Sequence, residues 1–279
     1  MRQKTWIVGL CAVAIAAPQI SDGQGQTNAR VARGSGGWGA NSSYNRLYKQ
    51  NSVVTFSGMV TGVLDSTRDD APEAPGVTLL VKASNGGTAS VDLGPKWFLE
   101  NQNPQIKMKD KIIVTGSKVF VGGKSVILAQ RVVKDNRVMY LRELNGFPMW
   151  VATRGHINVA SNNPAPRRET TKEGSEMQRL QGRITGIETL DNGQAGVQST
   201  VLIVEANGSS YHVDVGPTWF VQRQDLQFQV GDNIVVNAVR PAAVQVGNIY
   251  IANDVARGNE FLILRYENGR PVWSTWGGG

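Results

Sequence analysis

The feature that most constrains this chain is an internal repeat. Residues 90–98 read SVDLGPKWF and residues 212–220 read HVDVGPTWF, so six of nine positions are identical at an offset of 122. Further matches follow in the same order, and they pair Gly58 and Gly62 with Gly182 and Gly186, residues 110–114 with 232–236, and residues 141–150 with 264–273. Collinear matches with such small drifts in offset indicate a tandem duplication of a domain of about a hundred residues.

The repeat and the composition between its copies divide the 279-residue chain. The predicted parts are a signal peptide at 1–23, an N-terminal tail at 24–52, a first domain at 53–150, a linker at 151–176, a second domain at 177–273 and a C-terminal tail at 274–279. The linker is polar and contains Pro164 and Pro166. The N-terminal tail is rich in Gly, Asn and Ser but carries Trp38 and Tyr44, so it could pack onto another surface or be disordered.

The first residues are typical of a secretion signal. Arg2 and Lys4 precede an apolar run at 6–17 that is too short to cross a membrane, and polar residues follow it. Cys11, the only cysteine, lies inside this run, so the mature chain is predicted to have no disulfide, thiolate metal site or cysteine nucleophile. The net charge is +7, of which Arg2 and Lys4 supply two. The remaining surplus admits acidic partners without selecting one.

Each copy is predicted to be all-β, because short β-branched runs alternate with Gly, Asn and Asp. The order is a long strand bent at a glycine, a hairpin, a short helix at Pro95 to about Gln102 or Pro217 to about Gln224, and two further strands. A last apolar run, 138–142 or 261–265, could extend the fifth strand. This order predicts two tandem five-stranded Greek-key barrels of the OB-fold type, each with a helix between strands three and four.

The sequence offers little from which to build an active site, and no catalytic residue, metal ligand or cofactor is predicted. The two histidines are His156 in the linker and His212, which aligns with a serine in the other copy. Asp92 and Asp214 are repeated carboxylates, which could act as ligands or bases or could accept backbone N–H bonds at the helix start. An acidic loop in copy one could hold Ca²⁺ or be a solvated turn, and it contains Asp65, Asp69, Asp70 and Glu73.

The residues that the repeat retains are those that shape and pack a barrel. They are Gly94, Pro95, Trp97, Phe98 and Trp150 in the first copy and Gly216, Pro217, Trp219, Phe220 and Trp273 in the second. The strands also carry basic residues that could bind an acidic polymer, namely Lys82, Lys118, Arg131 and Arg183. Few aromatic residues accompany these cations on the strands, whereas single-stranded nucleic acid binding uses aromatic stacking within a basic groove.

The V-D-[L/V]-G-P-x-W-F and L-R-x-x-x-G-x-P-x-W segments resemble a group of exported bacterial OB-like domains. This group includes the domain of the magnetosome-associated MamS/MamX family, and the resemblance covers both copies. It implies a periplasmic or extracellular accessory domain without defined chemistry. Relatives often carry a histidine where this chain has Asp92 and Asp214, and some carry a haem-binding Cys-x-x-Cys-His motif that is missing here. The resemblance therefore gives no support to a metal or haem role.

Two functional hypotheses follow from the sequence. The first is an exported, non-enzymatic structural or interaction protein that binds a protein partner or self-assembles through its tail or barrel edges. The second is a binding module for an acidic polymer, either single-stranded nucleic acid or polysaccharide. No membrane span is expected after removal of the signal peptide.

Overall fold

We describe the fold from a computed structural model of the chain. The described residues are 34–68, 71–154, 177–191, 197–241 and 249–277. The predicted signal peptide, the first part of the N-terminal tail and most of the predicted linker lie outside these ranges.

The described residues form fourteen strands and two short α-helices. The first half contains β1 Val53–Arg68, β2 Ala71–Ala83, β3 Thr88–Pro95, α1 Lys96–Leu99, β4 Lys111–Val121, β5 Lys124–Lys134, β6 Arg137–Tyr140 and β7 Thr153–Arg154. The second half contains β8 Met177–Asp191, β9 Gln198–Ala206, β10 Ser209–Pro217, α2 Thr218–Val221, β11 Asn233–Val239, β12 Ile249–Arg257, β13 Glu260–Ile263 and β14 Trp276–Gly277.

Five strands of each copy pair into a closed ring. In the first copy β1 pairs with β2, β2 with β3, β3 in parallel with β5, β5 with β4, and β4 with β1 again. In the second copy β8, β9, β10, β12 and β11 repeat these pairings in the same order. The helix lies between the third and fourth strands in both copies. The predicted all-β class with two tandem domains is confirmed.

The long first strand bends where the sequence places its glycines. The pairing of β1 with β2 shifts in register between Val60 and Gly62, and that of β8 with β9 shifts between Ile184 and Gly186. A Cβ atom on Gly58 would lie 2.6 Å from the carbonyl oxygen of Lys82, so a side chain there would force the strands apart. These bulges let one strand take part in both sides of the ring.

Two local predictions differ from the structure. Each helix is a single turn, and Pro95 or Pro217 is its N-cap instead of its first helical residue. The last apolar run does not extend the fifth strand; it turns back to form a separate strand, β6 or β13, antiparallel to β5 or β12. No helix among the described residues is long and apolar enough to cross a membrane.

Each domain adds a short strand to the sheet of the other. β7, at the start of the predicted linker, pairs with β13 of the second domain, and β14, in the predicted C-terminal tail, pairs with β6 of the first. Backbone hydrogen bonds next to these strands also join the two domains. The Ile263 N–H donates to the Ala152 carbonyl and the Tyr140 N–H to the Thr275 carbonyl, each at 3.0 Å. The segments predicted as a linker and a free tail therefore begin as structural parts of the opposite domain.

Two buried glutamines complete this reciprocal junction, which we call the domain seam. Gln102, which is 4% exposed, donates to the Trp273 carbonyl at 3.0 Å and accepts from the Thr275 N–H at 3.1 Å. Gln224, which is 1% exposed, donates to the Trp150 carbonyl at 3.2 Å and accepts from the Ala152 N–H at 2.7 Å. Each amide also donates to a carbonyl of its own helix.

We predict that Gln102→Leu destabilises the whole chain by about 2–4 kcal/mol, because it leaves buried backbone and hydroxyl groups of the opposite domain without partners. Denaturant unfolding followed by tryptophan fluorescence measures this loss. The wild type should unfold in one transition, and the variant should separate into two.

The matched control is Gln181→Leu, which changes an exposed glutamine on β8. Its free energy of unfolding should stay within about 0.5 kcal/mol of the wild type. Equal stability of the two variants would show that the domain seam does not hold the domains together.

Candidate functional site

The glycine and the tryptophan of the repeat signature form one packing unit in each domain. Gly94 has a positive φ of 143°, and a Cβ atom there would lie 2.5 Å from Cζ3 of Trp150. Gly216 has a φ of 109°, and its Cβ would lie 2.6 Å from Cη2 of Trp273. Only glycine fits beneath these rings in this conformation. The repeat therefore retains both residues for one physical reason, although they lie far apart in sequence.

The signature aromatics after the proline meet across the domain seam. The ring centroids of Trp97 and Trp219 lie 6.5 Å apart, and those of Phe98 and Phe220 lie 6.5 Å apart. Phe98 also contacts Trp150 at 6.1 Å, and Phe220 contacts Trp273 at 5.5 Å. The buried side chains of both domains consequently form one hydrophobic cluster.

The described part of the N-terminal tail packs on the first domain from Trp38 onward, whereas the Gly34 N–H at its start donates to the Gln222 carbonyl of the second domain at 2.8 Å. Trp38 is 1% exposed, contacts the Trp150 ring at 5.9 Å and donates its indole N–H to the Ala74 carbonyl at 2.7 Å. The Trp150 indole in turn donates to the Trp38 carbonyl at 2.9 Å. Of the two alternatives for the tail, this segment follows the packed one.

A buried arginine donates a hydrogen bond to the tail. Arg142 is 2% exposed, and it donates to the Ala129 carbonyl at 2.7 Å and to Oδ1 of Asn45 at 3.3 Å. Its guanidinium carbon lies 4.8 Å from the centre of the Trp150 ring. Burial lowers the pKa of Arg142, but an arginine stays charged in proteins, so this cation is a fixed part of the core. The sequence did not predict this role, because the repeated Leu-Arg pair gives no sign of burial.

The two repeated carboxylates have different partners. Asp92 accepts hydrogen bonds from Tyr44 at 3.0 Å and from Thr78 at 2.6 Å. Burial, together with the nearby Asp92 charge, raises the pKa of Tyr44 well above its ordinary value, so the phenol stays protonated and donates. Asp214 instead accepts the Gly216 N–H at 2.7 Å, just before the helix. The backbone-acceptor alternative thus describes Asp214, whereas Asp92 binds the tail.

The other candidate ligands that the structure describes do not form a cluster. His212 is half-buried on β10 between Ile203 and Ile249. Asp65 forms an ion pair with Lys96 at 2.6 Å, while Asp69, Asp70 and His156 lie outside the described residues. Among the residues that the structure describes, no group of three His, Cys, Asp or Glu side chains could hold a metal ion.

The four predicted basic residues do not converge on one site. Lys82 lines a groove of about 810 Å³ on the first domain together with Lys111. Arg131 lines a different cleft, of about 520 Å³, beside the domain seam. Lys118 on β4 and Arg183 on β8 are exposed and line neither of these two cavities.

We predict that Trp38→Ala lowers the free energy of unfolding by about 3–5 kcal/mol, as expected for a large aromatic residue removed from a core. Chemical denaturation measures the loss. Phe120→Ala is the control, because Phe120 is 71% exposed and its loss should cost under about 0.5 kcal/mol. Equal stability of the two variants would contradict docking of the tail.

Comparisons with solved structures give only weak similarity. One, described as "Structural mimicry for functional antagonism", is 12% identical with a TM-score of 0.21, over 71% of this chain and 90% of the other. A second, a HIN1 structure in complex with 12-mer dsDNA, is 13% identical with a TM-score of 0.21, over 74% of this chain and 89% of the other. Structural similarity this low indicates nothing about the function of this chain. No protein of curated function matches the chain significantly.

The sequence model of one family matches both copies of the repeat. The matched segments are residues 52–139 and 176–262, which together cover more than half of the chain and coincide with the two rings of strands. The chain belongs to the MamS/MamX magnetosome protein family.

Proposed function

We propose that this chain is an exported, non-enzymatic interaction protein associated with the magnetosome, in which the two domains act as one rigid platform for a partner. The proposal rests on what the residues repeated in both copies do in the structure. The signature aromatics and the two glutamines join the domains across the seam instead of lining a cleft. Export rests on the predicted signal peptide at 1–23, and the magnetosome association rests on the family.

The groove on the first domain is the surface that suits a protein partner best. It runs over β1 and β4, where Met59 is 40% exposed and Ile113 is 45% exposed, and it is flanked by Lys82 and Lys111. Exposed apolar side chains flanked by cations favour an acidic segment that also carries apolar residues. Because the chain keeps a surplus of positive charge even without Arg2 and Lys4, an acidic partner suits this groove better than a second copy does.

The sheet edges support the same choice. The outermost strands of the two sheets are β7 and β14, which are two residues long. Short edge strands disfavour pairing between sheets of different molecules. The described part of the tail, residues 34–52, is also engaged in packing within the chain. Self-assembly through edges or tail is therefore the weaker form of the proposal.

We predict that Lys82→Glu combined with Lys111→Glu lowers partner recovery at least about tenfold, since like charges across an interface are repulsive. The measurement is quantitative mass spectrometry of proteins cross-linked to the full chain in a cell-envelope fraction. Lys124→Glu, at the exposed first residue of β5 and outside the groove, is the charge-reversal control. Light scattering of the same samples shows whether the partner is another copy.

Recovery of the same proteins in equal amounts with the double variant and with Lys124→Glu would remove this groove as the interface. A wild-type chain whose mass doubles with concentration in light scattering would favour self-assembly over a separate partner.

The second candidate function is binding of an acidic polymer in the same groove. The groove has a volume of about 810 Å³, and its two lysines could neutralise charges of a polyanion. We predict that binding of a fluorescent single-stranded oligonucleotide weakens as salt rises and that the double variant reduces the salt slope by about two. The Lys124→Glu control should keep the wild-type slope. If the wild type shows no binding at low salt, the polymer function is wrong while the protein-partner proposal stands.

A further inference from the structure

A second cleft, of about 520 Å³, opens beside the domain seam and contains residues of both domains. Arg131 and Tyr140 come from β5 and β6 of the first domain, while Tyr266 and Arg270 come from the closing turn of the second. Its volume lies within the range of small-molecule sites, which is about 300–1,000 Å³. We call it the arginine cleft.

The arginine cleft carries a surplus of positive charge. Arg131, Arg142 and Arg270 line it, and Glu143 is the carboxylate among its lining residues. Oε1 of Glu143 already forms an ion pair with Nη2 of Arg154, at 2.7 Å. Because Arg154 neutralises that carboxylate, the lining keeps a positive surplus that can attract an anion.

Two of these guanidinium groups also have an unused donor. The Nε atoms of Arg142 and Arg270 are buried, and neither has a hydrogen-bond partner among the described residues. Arg142 is 2% exposed and its other nitrogens hold Ala129 and Asn45, so its position is fixed before any ligand arrives. Arg270 is stacked on the Tyr266 ring, with its guanidinium carbon 4.9 Å from the ring centre. Buried cations with an unmade hydrogen bond are costly, and an oxyanion held nearby offsets part of this cost through its charge.

The remaining lining is apolar or aromatic. The rings of Tyr140 and Tyr266 and the side chain of Met149 face the cleft along with the cations. The Tyr266 hydroxyl lies 3.8 Å from the Met149 sulfur, so this wall is packed and not open to rearrangement at low cost. Such walls suit a flat apolar body attached to the anionic group.

The other repeat does not reproduce this arrangement. Arg131 pairs with Tyr140 on the neighbouring strand, and the equivalent pair in the second domain is Asp254 with Ile263. An aspartate in place of the arginine reverses the charge at that position. The arginine cleft is therefore a feature of one copy and not a requirement of the shared fold.

We infer that the arginine cleft binds a small organic anion, a carboxylate or phosphate group carried on an aromatic or apolar body. This site is separate from the groove of the proposed function. Each can be right or wrong without the other.

Isothermal titration calorimetry of the full chain at low salt tests the site with four probes. Benzoate and phenyl phosphate present the two oxyanions on an aromatic ring, inorganic phosphate lacks the ring, and benzyl alcohol lacks the charge. We expect at least one aromatic anion to bind with a dissociation constant under about 1 mM, and the neutral alcohol not to bind. The stronger of benzoate and phenyl phosphate identifies the oxyanion class.

Arg131→Gln and Arg270→Gln should each weaken that binding about tenfold, and Arg131→Asp, which copies the residue of the second repeat, should weaken it further. The control is Arg179→Gln, an exposed arginine on β8 that lines neither cavity. Arg131 is exposed, so its variants test the site even if the Arg270 variant unfolds. Absence of binding by both aromatic anions up to about 10 mM, or equal weakening by Arg179→Gln, would overturn the inference.

Discussion

The structure depends on two buried side-chain amides that bond to the opposite domain. Gln102 and Gln224 each satisfy backbone groups of the partner domain while they also cap their own helix. In a buried environment each of these groups would cost about 1–3 kcal/mol if it lost its partner. Separating the domains would leave several such groups unpaired and would expose the aromatic cluster between them. A single copy of this domain is therefore incomplete, and the duplication supplies the missing half.

The tail makes the two copies unequal. Gly76 and Ser199 occupy the same place in the fold, because each pairs with the repeated proline of the following strand. A Cβ atom on Gly76 would lie 2.7 Å from the Trp38 ring, so the serine of the second domain could not accept a tryptophan in that position. The first domain alone is built to hold a segment like residues 34–52, and its buried Arg142 is oriented by Asn45 of that segment.

The sequence predicted the parts of the fold that local patterns determine. Alternating strands, the bend at Gly62 and the helix after Pro95 all depend on short-range chemistry, and the repeat showed each of them twice. The domain seam could not be predicted in the same way. Gln102 and Gln224 are identical in the two copies, but an identical polar residue is compatible with either a surface or a buried position. Its burial is decided by which surfaces of the two domains meet, and periodicity carries no information about that.

The sequence also could not predict which candidate binding residues share one cavity. The four predicted cations were chosen by their strands, yet the fold places Lys82 and Arg131 in different cavities. The residues that complete the arginine cleft with Arg131 come from the closing turn of the other copy, 135 and 139 positions further along the chain. Only the packing of the two domains brings them together.

Residues at the domain seam are less free to change than the residues on either side of it. A change at the seam must preserve complementary contacts in both domains, because its aromatic residues contact their counterparts in the other copy and each glutamine bonds to the opposite domain. The flanks have no such requirement. At one backbone position the first copy has Arg131 near Thr115 and the second has Asp254 bonded to Asn237 at 2.7 Å. Opposite charges at equivalent positions are tolerated because each finds a local partner on its neighbouring strand. Recognition that differs between the copies should therefore be sought on these flanks, while the seam keeps their relative position fixed.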